Sequence, residues 1–378
     1  MIEPPTEYGL LIGELLARAA KHRQPINGTF ELTSRCNLAC RMCYVRNPAA
    51  DATARRKELG AAEWLEIARQ ARNGGMVFLL LSGGEVFLRS DFFEIYEPLT
   101  RMGFVLTLFT NGTLIAEEVA ERLAQAPPSR TEITLYGATA TTYEVITGVP
   151  GSFAACCDAI EALVSRRVPL GLKTTISRHN IHELEAMRKM ARDWKLSFSG
   201  AWLLTKRPDG QASDVEDCRL PAAECVALEA TDRASATEMT EAALREASSE
   251  NGHNFYCAAG RSAFVITPAG EMNVCLHLPQ PGAKPLGIGF QSAWKQVGRF
   301  VKSAPPLSQK CRSCGARALC GRCPAWSLMD TGTLNKPVSY WCEIARARKQ
   351  RYSRQPKNPD RKPLKVAASF HPTTAKSD

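Results

Sequence analysis

The chain has 378 residues, 44% of them hydrophobic, which is enough to bury one large domain and a smaller one. Its net charge of +10 invites a nucleic-acid reading, yet ten Lys or Arg against two Asp between Ile344 and Asp378 carry +8 of it, so the body is close to neutral and no specific nucleic-acid partner is expected. No apolar run reaches about 18 residues and no basic start leads into an apolar stretch and a cleavage site, so neither a spanning helix nor a secretion signal is expected. A cytoplasmic protein without membrane contacts follows, and its 14 cysteines then point to metal rather than to disulfides.

Residues 7–22 place Leu10, Leu11, Leu15, Leu16 and Ala19 near helical spacing, which predicts an amphipathic helix packed on the outside of the main domain, within an extension of residues 1–27. Short apolar runs then alternate with helical segments. The runs are Gly28 to Leu32, Met76 to Leu81, Phe104 to Phe109, Glu132 to Tyr136, Gly171 to Ile176 and Leu196 to Leu204, and the helices fall near 61–73, 90–102, 116–125, 152–166 and 181–194. Ser90 and Asn180 are expected N-caps, and Gly74, Gly75 and Gly103 expected stops. Six such alternations imply parallel strands with right-handed crossovers, an α/β fold in the form of a partial (β/α)6 TIM-like barrel over 28–205. Chemistry in such a fold gathers at the C-terminal ends of the strands. Unusual residues do stand there: Cys36, Cys40 and Cys43 after the first strand, Ser82-Gly83-Gly84-Glu85 after the second, Thr110-Asn111-Gly112-Thr113 after the third and Ser177 to Asn180 after the fifth.

Three cysteines within eight residues let a short loop wrap three thiolates round one face of a metal cluster. A 4Fe-4S cluster and structural zinc both take four ligands, so three leave one position for something else, or else form half of a zinc site. The CxxxCxxC spacing followed by Tyr44 resembles the signature of radical S-adenosylmethionine (SAM) enzymes. That resemblance implies that the open iron chelates the amino and carboxylate groups of SAM. Ser82 to Glu85 is similar to the family's GGE motif, and Val86 to Phe92 continues the likeness to GGEPxLRxDF, with Val86 where proline is usual. Glycines there let the backbone approach a ligand, and a carbonyl or carboxylate can accept from the methionyl ammonium. The resemblance further implies SAM contacts by Asn111 and Thr134, the latter in TLYGA where relatives carry Ser-Leu-Asp-Gly, so that Tyr136 replaces an aspartate. Lys173 and Thr175, with Ser177, are placed to reach the ribose hydroxyls. His179 and His182 read as solvent-facing residues at a helix start.

Residues 206–250 are polar and then helical, a bridge between domains. Cys156 and Cys157 read as small buried hydrophobes. From 251 to 345 the pattern CX12GX4C, a gap, CX2CX5CX2C, a gap and C resembles the SPASM domain, which binds two auxiliary 4Fe-4S clusters, with two residues instead of three between Cys320 and Cys323. By that resemblance Cys311, Cys314, Cys320 and Cys342 close one cluster, and Cys257, Cys275 and Cys323 hold the other, which either keeps an open iron or takes Cys225 or Cys218 as a fourth ligand. Residues 346–378 are too basic and too poor in apolar groups to fold, so a disordered tail is expected.

The resemblance implies reductive cleavage of SAM, hydrogen-atom abstraction, and an electron donor such as flavodoxin or ferredoxin. The implied substrate is a peptide or protein. A maturase that crosslinks or oxidises a ribosomally made peptide is favoured over a sulfatase maturase, because the aspartate that follows the GX4C cysteine in sulfatase-maturing relatives is Leu276 here. A zinc-binding interaction protein is the third reading. About 27 residues precede the first strand, too few for a winged-helix peptide-recognition module, so recognition is expected at the barrel mouth, the N-terminal helix or a separate partner.

Overall fold

The computed structural model describes residues 7–45, 47–244, 254–255 and 257–353. Six parallel strands form in the predicted order: β1 (Asn27–Glu31), β2 (Phe78–Ser82), β3 (Val105–Thr110), β4 (Arg130–Thr134), β5 (Leu170–Thr175) and β6 (Ser197–Ala201). Between them run α-helices at Ala61–Asn73, Phe92–Arg101, Glu117–Gln125, Ser152–Ser165 and Leu184–Asp193, each helix closing a β-α-β crossover. The strands read as apolar runs because one face is buried under these helices. Phe30 on β1 packs on Trp64 of the first of them at a ring separation of 5.2 Å. The opposite face lines the lumen and carries polar groups. Arg130 and Glu132 pair there at 2.8 Å, and the Lys173 ammonium lies 3.9 Å from Glu132 and over the Phe109 ring.

The sheet has two further strands. β7 (Ala263–Ile266) adds in parallel to the free edge of β1, and β8 (Met272–Asn273) pairs antiparallel with β7, giving the order β8-β7-β1-β2-β3-β4-β5-β6. Through β7 they extend the first predicted strand, although they come from the cysteine-rich C-terminal segment. Accordingly the chain divides into two compact units. Of the described residues, those within 18–219 and 258–301 form one, and those within 7–17, 220–257 and 302–353 the other, so the predicted 251–345 segment is shared between them.

In the second unit the predicted bridge supplies helices Ala222–Glu229 and Arg233–Leu244, and Ser339–Tyr352 carries the chain's last described helix. The start of the expected disordered tail is therefore helical. Burial explains it: Arg348 is buried and pairs with Glu229 at 3.0 Å, while Trp341, Ile344, Ala345 and Tyr352 are also buried. Residues 354–378, the rest of that predicted tail, lie outside the described residues.

The N-terminal helix spans Glu7–His22; of the predicted stripe Ala19 is buried and Leu16 half-buried, whereas Leu11 and Leu15 are exposed, at 62% and 36%. Ser90 is not a cap, because Asp91 occupies that position. No helix among the described residues is long and apolar enough to cross a membrane.

Candidate functional site

The loop after β1 carries Cys36, Cys40 and Cys43 over an apolar floor of Leu38, Met42, Ile146, Leu204 and Val215. Its backbone is pinned to the helix Ala140–Thr147 by Ala39 N–H to the Thr147 carbonyl (2.8 Å) and Arg41 N–H to the Ile146 carbonyl (3.2 Å). Cys40 is buried in this floor, and Cys36 and Cys43 are half-buried at its edge. Burial pushes the Cys36 thiol up to about 11 and Cys40 well above the ordinary thiol range, with the neighbouring cysteines adding to both. Thiols so placed keep their protons until a cation replaces them.

The loop is held from its other side by the GGE segment. Leu32 N–H donates to the Ser82 carbonyl (2.9 Å), Gly84 N–H to the Thr33 carbonyl (2.7 Å) and Glu85 N–H to the Arg35 carbonyl (2.8 Å). The glycines follow from that approach. A Cβ at Gly83 or Gly84 would lie closer than 3.0 Å to the carbonyl of Thr33 or Arg35, and Gly83 has a φ of +141°. Both glycines thus face the cysteine loop's own backbone.

Glu85 is fully buried, and its carboxylate accepts from the Thr110 hydroxyl (2.8 Å), the Asn111 N–H (2.7 Å) and the Phe87 N–H (3.2 Å). Burial raises its pKa, and these bonds pull it part of the way back. Its role in the geometry is to lock the end of β3. That fixes Asn111, whose side-chain amide donates to Asn37 (2.9 Å) and points at the Cys36 sulfur (3.7 Å). Backbone N–H groups of Leu38 and Val45 lie 3.4 Å from the sulfurs of Cys36 and Cys43.

Beneath the loop is an ion network that the sequence did not reveal. Arg35 makes two bonds to Glu58, at 2.8 and 3.0 Å, and Arg89 lies 3.5 Å from the same carboxylate while donating to the carbonyls of Leu32 (2.9 Å) and Leu59 (2.8 Å). Arg89 falls in the stretch likened to GGEPxLRxDF; Glu58 had no signal. Tyr136, which stands where relatives carry an aspartate, lies beside the Cys40 thiol, and burial, with Cys40 adding to it, raises its pKa well above the ordinary value. Asn180 stands at the expected N-cap, that of the 3-10 turn Ile181–Glu183, and its side chain is in addition a buried brace: it donates to the carbonyls of Tyr136 and Thr175, both at 3.0 Å, and accepts from Ser177 N–H at 2.8 Å.

The predicted SAM contacts fall into two groups. Ser82, Gly83, Gly84, Glu85 and Asn111 belong to the network round the cysteine loop. Thr134, Lys173 and Thr175 lie across the sheet, Thr134 paired with Lys173 in the ladder, and Lys173 engaged with Glu132 and Phe109. Burial pushes Lys173 down to about 7, against the pull of Glu132.

Of the other cysteines, Cys218 is buried with Leu38 and Cys40 in the floor of the loop. Cys225 is buried with its sulfur 3.3 Å from the Tyr340 hydroxyl, and Cys156 is buried in its helix. In the second unit burial raises the Cys342 and Cys320 thiols, and other cysteines add to it, Cys311 and Cys314 for Cys342, and Cys342 and Cys311 for Cys320. Cys323 starts the helix Pro324–Thr331, takes bonds from the Ala325 and Trp326 N–H groups, and feels Cys257. Among the described residues no three His, Cys, Asp or Glu side chains are gathered to hold a single metal ion, so the fit rests on the donors' chemistry. One buried and two half-buried thiols, with N–H groups aimed at two of their sulfurs, suit an iron–sulfur cluster, whose charge such donors offset.

A model of the radical SAM superfamily matches residues 30–191. The mycofactocin maturase MftC of Mycobacterium ulcerans is 31% identical over 316 residues, covering 80% of this chain and 83% of that protein. The chain belongs to the radical SAM superfamily. As a radical SAM protein it binds SAM and a 4Fe-4S cluster. It is also similar to the AdoMet-dependent heme synthase of Methanosarcina barkeri, 26% identical over 80% of this chain and 92% of that one. The fold is shared with Streptococcus suis SuiB bound to the precursor peptide SuiA (TM-score 0.68, 18% identity, 90% of this chain and 82% of that one). Native anSMEcpe with bound AdoMet shares it too (TM-score 0.64, 18% identity, 87% and 97%).

Proposed function

We propose that this radical SAM enzyme is a maturase that oxidises or crosslinks a residue of a ribosomally synthesised peptide. The observation that carries the reading is the 31% identity to a mycofactocin maturase over most of both chains. Support comes from the fold shared with a protein crystallised on its precursor peptide, and from Leu276, which leaves the position after Cys275 without a carboxylate.

When loaded, such a site supplies reductive cleavage of SAM and removal of a hydrogen atom from an unactivated C–H bond. Cys36, Cys40 and Cys43 hold the cluster, and the Leu38, Val45 and Asn111 donors offset the charge on Cys36 and Cys43. Glu85 and the Gly83-Gly84 backbone keep those donors in register. Ser82 and Gly83 present the strand end to SAM, and Thr134, Lys173 and Thr175 the far wall. Cys311, Cys314, Cys320 and Cys342 are proposed to hold one auxiliary cluster, and Cys257 and Cys323 a second, with Cys275 assigned by sequence pattern alone. A flavodoxin or ferredoxin is the proposed electron donor.

The test is anaerobic incubation of the reconstituted enzyme with SAM, reductant and the short peptides encoded beside its gene. A mass change in one peptide, matched by 5′-deoxyadenosine, is expected. Conversion of a tetrapyrrole or of a sulfatase peptide, with every encoded peptide unchanged, would overturn the reading.

A further inference from the structure

Within the barrel unit, a cavity of about 360 Å³ opens at the end of β1 beside the cysteine loop, in the size range of about 300–1,000 Å³ usual for ligand pockets. Two of its lining side chains are orphaned. Glu31, 8% exposed, has an Oε1 without a hydrogen-bond partner, and Asn273, 1% exposed, has an Nδ2 without one. The Asn273 amide is oriented by chemistry, since its Oδ1 accepts from the Gly282 N–H at 2.8 Å and the donor end is the one left over.

Both face the lumen. Asn273 stands opposite Val265, and Val265 opposite Thr29, so the three form one row across β8, β7 and β1. Glu31, two residues beyond Thr29, projects from the same face, whereas Phe30 points at the Trp64 helix. The apolar part of the lining includes Val45, Val265 and Leu276, and Val265 stands in the row between Asn273 and Thr29, while Thr33, Ser34, Asn47, Arg207 and Asp209 add polar groups.

A buried polar atom left unpaired is costly, so two in one cavity mark what is meant to fill it. The missing partners are a donor for Glu31 and an acceptor for Asn273, with Val265 in the strand row between. An extended peptide offers that set: an N–H, a C=O, and a side chain for the apolar wall. We infer that Glu31 and Asn273 read the backbone of a peptide segment, Glu31 Oε1 accepting from one N–H and Asn273 Nδ2 donating to one C=O. This inference rests on the peptide reading above and assigns its recognition site. Burial drives the Glu31 carboxyl up to about 7, against the hydrogen bond it takes from Tyr44.

The probe is N-acetyl-leucine N′-methylamide, compared with the analogue in which oxygen replaces both N–H groups. Binding to cluster-loaded, SAM-bound enzyme is followed by saturation-transfer NMR under anaerobic conditions. The amide is expected to bind at millimolar concentration at least tenfold more tightly than the ester, because a site built for an N–H leaves its acceptor bare against oxygen. Glu31→Met, of similar length but without an acceptor, should erase the amide preference. Asn273→Asp keeps the bond to Gly282 but presents an acceptor to the cavity, and should weaken both probes at least tenfold. Equal binding of amide and ester, no binding of either, or variants that bind as the parent does would each overturn the inference. SAM cleavage and peptide mass change in the same preparations separate the failures: a modified peptide without amide preference sinks the subsite alone, and amide preference without any modified peptide sinks the maturase reading.

Discussion

Replacing Gly84 by alanine tests whether the GGE segment exists to clamp the cysteine loop. A Cβ there would stand closer than 3.0 Å to the Arg35 carbonyl, a backbone atom that cannot swing aside as a side chain would. Relief requires the strand ends to part, which sacrifices the bonds from Gly84 N–H to Thr33 (2.7 Å) and from Glu85 N–H to Arg35 (2.8 Å). At about 1 kcal/mol for each bond and about 1–3 kcal/mol for overpacking, the cost is about 3–5 kcal/mol. That is a large share of the roughly 5–15 kcal/mol that stabilises a typical domain. Because the strain falls on residues 33–35, cysteine placement should suffer first. Iron and sulfide analysis after anaerobic reconstitution, with 5′-deoxyadenosine yield, is the assay, and Gly287→Ala is the control, since its Cβ would meet nothing within 4 Å. A Gly84→Ala enzyme that keeps full iron and full SAM cleavage would refute the clamp.

Other expectations follow from the same geometry. Glu58→Ala strands the buried Arg35 guanidinium, while Arg89 keeps Asp91 at 2.7 Å, and should cost about 3–5 kcal/mol of unfolding free energy, read by denaturant titration; a loss under about 1 kcal/mol would show that the network is not a support. Asn111→Ala removes the amide aimed at the Cys36 sulfur and should lower the cluster's reduction potential, followed by an EPR-monitored titration; an unchanged potential would show that the 3.7 Å contact carries no weight. Lys173 is held at about 7, below its unfolded value of roughly 10.4, so the folded state binds its proton less well than the unfolded one does. Its protonation therefore destabilises the fold increasingly as pH falls from about 10 towards 7, and no further below. Lys173→Met should abolish that slope and gain stability at pH 7; an identical pH profile in parent and variant would contradict the burial argument.

Six strands were legible because each buries one face under a helix and so reads as an apolar run. The fourth was read two residues late, since Arg130 and Glu132 face the lumen as an ion pair and look like loop in one dimension. β7 and β8 were missed for a different reason: four and two residues long, they draw their stability from the edge of β1, more than two hundred positions earlier. The cysteine loop and its glycines were visible from spacing, but the reason for the glycines was not, because it lies in the carbonyls of Thr33 and Arg35. Glu85 was read as a ligand contact, since nothing local tells that Thr110 and Asn111 fold back onto its carboxylate. Glu31 and Asn273 carry no motif, and only the lumen face they share makes them notable.

The most direct test of the account is 5′-deoxyadenosine formation by the anaerobically reconstituted enzyme given SAM and a strong reductant. The account predicts roughly a dozen irons per chain and steady product from the parent. It predicts no product from the variant carrying Cys36→Ala, Cys40→Ala and Cys43→Ala, even with its remaining cysteines loaded with iron. Substantial 5′-deoxyadenosine from that variant, or zinc in place of iron in the parent, would contradict it.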